Sequence, residues 1–134
     1  MKDVFDVTEI LYNRLYQAIG TSLSGDIYKD DRPDSSILED ITINSLPITS
    51  GQPQLATANV NLHVPDLKVS IKGKGQYVPN HSRIKALLSE IKPLLEVYTD
   101  GDYNYFISSI NHIRVQEKHE SLINIRIDFL IINT

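Results

Sequence analysis

The sequence has 134 residues, 17 acidic and 13 basic side chains, a net charge of −4, and no cysteine. A chain of roughly this length usually folds as one domain with its own hydrophobic core, so we predict a single domain over residues 1–134. The lack of cysteine excludes disulfides, zinc–thiolate sites, iron–sulfur clusters and cysteine nucleophiles, and the acidic balance argues against a sequence-specific nucleic-acid-binding protein.

The first predicted element is an amphipathic helix. Apolar residues recur at three- and four-residue spacing from Val7 to Ile19, which places them on one face of a helix. Asp6 and Glu9 resemble a capping box at its start. Gly20 can adopt the left-handed conformation that often ends a helix.

Three strands are predicted next, over residues 26–29, 37–49 and 56–64. An acidic, proline-containing cluster follows the first strand and favours a turn, because Pro33 cannot donate to a ladder. The second and third segments alternate apolar and polar residues with the period of a half-buried strand. In the third, Ala56, Ala58, Val60, Leu62 and Val64 share one face.

Residues 65–80 break this alternation. The segment carries Gly73 and Gly75 between lysines and is too polar to belong to a core. We predict an extended arm or a mobile loop.

A second helix is predicted from residue 81 or 82 to Tyr98, with Ile84, Leu87 and Ile91 on its apolar stripe. Pro93 predicts a kink or break near Lys92. Two strands follow, over residues 103–117 and 121–132, joined by a short turn at residues 118–120. The predicted order is α-β-β-β-α-β-β, an α+β fold in which both helices pack on one face of an antiparallel sheet.

Two charged regions differ in sign. Acidic residues concentrate between residues 26 and 40, and basic residues between 68 and 85. Such patches either steer self-association or are ordinary solvated surfaces. On the first interpretation, we assign a subunit or partner interface to Asp30, Asp31, Arg32, Lys68, Lys72, Lys74 and Tyr77.

Motifs for catalysis or metal binding are not found. His63, His81, His112 and His119 lie in different predicted elements, with no pair at metal-ligand spacing. Serine does not occur in a Gly-x-Ser-x-Gly elbow, so the sequence does not assemble a hydrolase triad. We predict no catalytic, cofactor-binding or metal-binding residue and no enzymatic activity.

The N-terminal residues do not resemble an export signal. Asp3 and Asp6 stand where a signal peptide has basic residues and then a long apolar run. The longest apolar stretch, residues 129–132, is far shorter than the roughly 20 residues that cross a bilayer. We therefore expect a cytoplasmic protein with no membrane partner.

Read from end to end, the order and size of the elements resemble the small tail-terminator and head–tail joining (neck, tail-completion) proteins of long-tailed bacteriophages and prophages. The resemblance covers nearly the whole chain and rests on the positions of residues 10–15, 27–28, 32–33, 40–44, 59–61 and 124–129. The basic segment from Val64 to Pro79 departs from that pattern.

The resemblance implies a non-enzymatic structural protein, present in the bacterial cytoplasm and in the virion. It implies a ring, commonly of six copies, that contacts tail-tube or head-connector proteins. Lys68, Lys72 and Lys74 would then face a neighbouring subunit or the channel. Two alternatives stay open: a small-molecule or peptide-binding module of unknown ligand, and an uncharacterised enzyme.

Overall fold

The computed structural model describes residues 2–51, 53–99 and 101–132. They form two helices, eight strands and one short 3₁₀ helix, which follow one another along the chain as α1 (Val4–Ile19), β1 (Ile27–Lys29), β2 (Asp40–Ser45), β3 (Gln54–Pro65), β4 (Leu67–Ile71), β5 (Lys74–Val78), α2 (His81–Leu95), β6 (Val97–Thr99), β7 (Tyr103–Val115), the 3₁₀ helix (Gln116–Lys118) and β8 (Glu120–Ile131). The α+β class is confirmed. Neither described helix is long and apolar enough to cross a membrane.

Six strands form one mostly antiparallel sheet in the order β1-β2-β3-β8-β7-β6, in which only β1 and β2 run parallel. The central pair, β3 and β8, is hydrogen-bonded over twelve residue pairs. Their alternation is the period of two that the sequence predicts, because Ala58, Val60, Ile125 and Ile127 are fully buried while the residues between them are more exposed.

One hydrophobic core contains buried side chains from both helices and from the sheet. Val7, Leu11 and Leu15 of α1 and Leu87 and Ile91 of α2 belong to it, each with no exposed surface. The amphipathic spacing of the two helices therefore predicts most of their buried residues, although Ala18 is exposed and Thr8 is buried.

The order of elements differs from the predicted one, because the chain has three more strands. β4 and β5 pair with each other as a separate two-stranded hairpin between β3 and α2. The third is β6, which includes Tyr98, a residue predicted to end the second helix. The predicted strand over residues 37–49 is shorter in the structure, since only residues 40–45 pair with β3.

The helix ends also differ from the prediction. The capping box of α1 is formed by Asp3 and Asp6, whose carboxylates accept from each other's backbone N–H at 2.9 and 2.8 Å. Gly20 has a φ of −54° and continues the right-handed turn. Pro93 lies in the last turn of α2, which ends at Leu95, so the proline is accommodated close to the end of the helix.

We call the β4–β5 hairpin, residues 67–78, the arm. Its strands pair from Leu67↔Val78 to Ile71↔Lys74, so the connection consists of Lys72 and Gly73. Both have positive φ, 50° and 79°. Two consecutive positive φ values are typical of the type I′ turn, whose twist suits a tight hairpin.

Strand β7 has a long unpaired edge. β6 pairs only with residues 104–106 of β7, and the register shifts by one residue between Ile107 and Ser109. Among the described residues, no strand lies beside residues 108–115 on the side away from β8. Such an edge can accept an additional strand.

Candidate assembly surface at the arm end of the sheet

One end of the sheet brings together the segments that the charge pattern singles out. β2 starts there with Asp40 opposite His63, and β3 ends there with Pro65 opposite Glu120. The loop between β1 and β2 (residues 30–39) returns to the sheet at this end, and the arm and the 3₁₀ helix leave the sheet here. We call it the arm end.

Three charged side chains and one histidine form a buried network at the arm end. Arg32 contacts Asp40 through Nη1 at 3.2 Å and Glu120 through Nη2 at 2.5 Å. His63 Nδ1 lies 3.3 Å from Glu120 Oε2, although this contact lacks hydrogen-bond alignment. The side chains of Arg32, Asp40 and Glu120 are only 9%, 1% and 8% exposed. The network therefore fixes the β1–β2 loop to β2 and β8.

The charges in this network set the ionisation of Glu120. Burial alone would raise the pKa of Glu120, because a carboxylate is less stable away from water. The contact with His63 and the positive charge of Arg32 outweigh that effect, and the pKa of Glu120 lies below its usual value. Glu120 is therefore an anion that matches the guanidinium of Arg32.

The two acidic residues predicted at the interface differ from Arg32 in their exposure to solvent. Asp30 and Asp31 are exposed at the surface, and the described residues form no ion pair with either of them. Arg32 is nearly buried and holds two carboxylates. Arg32 thus stabilises the loop, while Asp30 and Asp31 are free to contact a partner.

The base of the arm is fixed to the body of the protein. The ring of Tyr77 stacks on His119 with centroids 3.7 Å apart, and Arg114 Nη2 donates to the carbonyl of Tyr77 at 3.1 Å. The N–H of Asp66 donates to the carbonyl of His119 at 2.9 Å. Tyr77 therefore orients the arm.

The rest of the arm is exposed. Lys68, Lys72 and Lys74 have no ion-pair partner in the described part of the chain; Lys68 Nζ lies 5.6 Å from the Tyr77 ring centroid. Leu67 and Ile71 are 45% and 44% exposed. No residue of β4 or β5 belongs to the hydrophobic core.

A cleft of about 310 Å³ lies between the base of the arm and the β1–β2 loop. Its walls include Ile37 and Leu38 on one side and Tyr77 and His119 on the other. Ile37 is 80% exposed and Leu38 46% exposed. The cleft therefore presents apolar side chains to solvent beside the acidic residues of the loop.

The described residues do not gather a metal site. No group of three or more histidine, aspartate or glutamate side chains among them is arranged to hold a metal ion. His81 and His112, separate in the sequence, come within 6.5 Å between ring centroids as an edge contact. His63 lies in the buried network and His119 stacks on Tyr77.

Several residues of this surface do not stand out in the sequence. Ile37 and Leu38 stand at the start of the segment predicted as a strand, so the sequence gives no sign that they are exposed. His119 and Glu120 look like turn residues, although one orients Tyr77 and the other binds Arg32. A charged residue inside a predicted strand (Asp40) and another in the turn just before one (Glu120) are the sequence signals that point to the network.

Comparison of the sequence with family models gives no match, and a search of curated proteins finds no similar protein.

Proposed function

We propose that this chain is a non-enzymatic structural protein of a phage or prophage particle. Copies of it associate into a ring, commonly of six, at the head–tail junction or at the tail end. The ring contacts tail-tube or head-connector proteins, and the protein occurs in the host cytoplasm during assembly and then in the virion.

The arm is the observation that carries this proposal. A two-stranded hairpin is marginally stable by itself in water. This one has exposed apolar residues, and its lysines have no ion-pair partner among residues 2–51, 53–99 and 101–132. It adds nothing to the hydrophobic core of its own chain. An element with these properties is explained by a contact that another chain completes.

The charges favour contact between different surfaces of neighbouring copies. The arm carries Lys68, Lys72 and Lys74, and the β1–β2 loop carries exposed Asp30 and Asp31. A contact between two different patches is heterologous, and such contacts generate rings when the rotation between subunits closes. Opposite charges on the two patches steer the copies into this arrangement.

The proposal includes the packing of both helices on one face of the sheet, which leaves the other face for partners. That second face carries asparagines that bond across strands: Asn59 Nδ2 donates to Asn44 Oδ1 at 3.1 Å, and Asn124 Nδ2 donates to Asn61 Oδ1 at 2.8 Å. Partly exposed amide side chains suit a wet contact with a neighbouring protein of the particle.

A small-molecule or peptide-binding module is the second candidate, and the cleft beside Ile37 and Leu38 is the observation that favours it. Its volume of about 310 Å³ lies at the lower end of the range for ligand pockets. We rank it second because the cleft does not explain the exposed arm.

Native mass spectrometry over a range of protein concentrations tests the proposal. We expect a closed oligomer whose share of the protein increases with concentration. The double variant Lys72→Glu/Lys74→Glu should reduce that share. The control Lys85→Glu/Lys92→Glu makes the same charge change on exposed positions of α2 and should leave the oligomer intact. An equal effect of both variants would show that net charge, and not the arm, controls association.

A further inference from the structure

We infer that the cleft between Ile37–Leu38 and Tyr77 receives the arm tip, residues 71–74, of a second copy of this chain. The inference rests on the proposed function, because it takes self-association as given. It goes further by naming the surface to which the arm binds.

The two apolar residues of the cleft are held outward by their neighbours. On one side of them, the hydroxyl of Ser36 bonds to the Asp40 carboxylate and also accepts from the N–H of Leu38 at 3.3 Å. On the other side, Arg83 Nε donates to Glu39 Oε2 at 2.6 Å. Ile37 is thus exposed on a segment that is fixed at both ends. Such a preorganised apolar surface loses little conformational entropy when a partner covers it.

The arm tip has the matching chemistry. Ile71 is 44% exposed and adjoins the turn formed by Lys72 and Gly73. Side chains alternate along a strand, so Leu67, Val69 and Ile71 lie on one side of β4. Placing Ile71 against Ile37 and Leu38 removes apolar surface of both chains from water, which stabilises the contact.

The cleft also holds an acceptor without a donor. Asp66 lines it, and Asp66 Oδ1 is buried with no hydrogen-bond partner in the described part of the chain. A buried carboxylate oxygen without a partner is costly. Rotation of the Asp66 side chain toward the cleft would let this carboxylate pair with an ammonium group from Lys72 or Lys74 of the incoming tip. Lys118, which also lines the cleft, is exposed and can turn toward solvent.

The tip must come from another chain. The cleft touches the arm at Tyr77, close to its base, whereas the turn at Lys72 and Gly73 lies at the far end of the hairpin. Each arm strand has five residues, so the tip lies on the order of 15 Å from the base at about 3.4 Å per residue. The arm therefore cannot fold into its own cleft.

The absence of cysteine makes cross-linking a clean test. Two single-cysteine variants, Ile71→Cys and Leu38→Cys, carry different affinity tags, are mixed and are oxidised. A disulfide needs Cα atoms within about 7 Å, so we expect a doubly tagged dimer. Both positions are exposed, so both variants should fold. The control pairs Ile71→Cys with Val97→Cys, which is 71% exposed on β6.

The cross-linking results distinguish the contact between arm tip and cleft from other contacts between copies. Preferential linkage of Ile71→Cys to Leu38→Cys supports the inference. Equal linkage to Val97→Cys, or preferential linkage to Ile110→Cys on the free edge of β7, overturns it. Rings that form without the Ile71–Leu38 linkage overturn the inference and leave the proposed function standing. If neither rings nor linkage occur, both are wrong.

Discussion

Replacing Arg32 by methionine separates its two assigned roles. The sequence suggests Arg32 as an interface residue, whereas the structure places it between Asp40 and Glu120, with 9% of its side chain exposed. Removing one member of a buried ion pair typically costs about 3–5 kcal/mol, because the remaining charge stays buried without a partner. Here two carboxylates lose their cation, so we expect a loss in that range.

Urea denaturation followed by circular dichroism measures the change. With an m-value of about 1–3 kcal/mol/M, a loss of this size lowers the midpoint by about 1 M or more. Arg114→Met is the control, because Arg114 is exposed and donates to the Tyr77 carbonyl; its cost should stay below about 1 kcal/mol.

A charge-free version of the network provides a second comparison. Arg32→Met combined with Asp40→Asn and Glu120→Gln removes the buried charges together, and Asn can still accept from the Asp26 N–H as Asp40 Oδ1 does at 3.0 Å. This triple variant should recover much of the lost stability, since uncharged side chains have a lower burial cost. If Arg32→Met alone costs less than about 1 kcal/mol and impairs association, the residue belongs to the interface and our account of the network is wrong.

Three further predictions concern the core, the arm and acid stability. Ile127→Asp should cost on the order of 4 kcal/mol, because Ile127 has no exposed surface and the new carboxylate would lack a partner; thermal unfolding measures this. The pKa of Glu120 is lower in the folded state, so this residue stabilises the fold above its unfolded-state pKa of about 4.3, and the stabilisation is lost as the pH falls through the folded-state pKa. Glu120→Gln should therefore flatten the fall in stability below about pH 4.3. The triple variant Lys68→Glu/Lys72→Glu/Lys74→Glu, which reverses the charge of the arm, should change assembly and leave the melting temperature unchanged.

Controls and contrary outcomes differ for each of these. Leu55→Asp, at a position 58% exposed on β3, should cost far less than Ile127→Asp, and an unchanged melting point for Ile127→Asp would overturn the assignment of β8 to the core. A pH profile of Glu120→Gln that matches the parent would contradict the role of Glu120 in acid stability. Loss of folding in the lysine variant would mean that the arm supports the body of the protein.

The periodic parts of the fold are predictable from the sequence. Five apolar residues alternate in β8 and five in β3, and the helices show three- and four-residue spacing, because each element has one face in the core. The arm and β6 are not predictable in this way, since neither has a buried face that would impose a period on its sequence. Short or exposed strands are specified by pairing, which a linear pattern does not record.

The arm end is only partly predictable for a related reason. Charge alone singles out Lys68, Lys72, Lys74, Asp30 and Asp31, and the structure leaves all five exposed. The charge of a residue in the sequence does not distinguish these five from the nearly buried Arg32, whose partner Glu120 lies 88 residues away in the sequence. The outward position of Ile37 depends on bonds made by Ser36 and Glu39, so it too follows from tertiary contacts.

Negative-stain electron microscopy of the concentrated protein shows whether copies of this chain form rings. We expect ring-shaped particles whose averaged views show rotational symmetry, with six copies of the 15.2 kDa chain as the expected number. Single globular particles or two-fold dimers at every concentration, alone and after the addition of tail-tube or head-connector proteins, would contradict it.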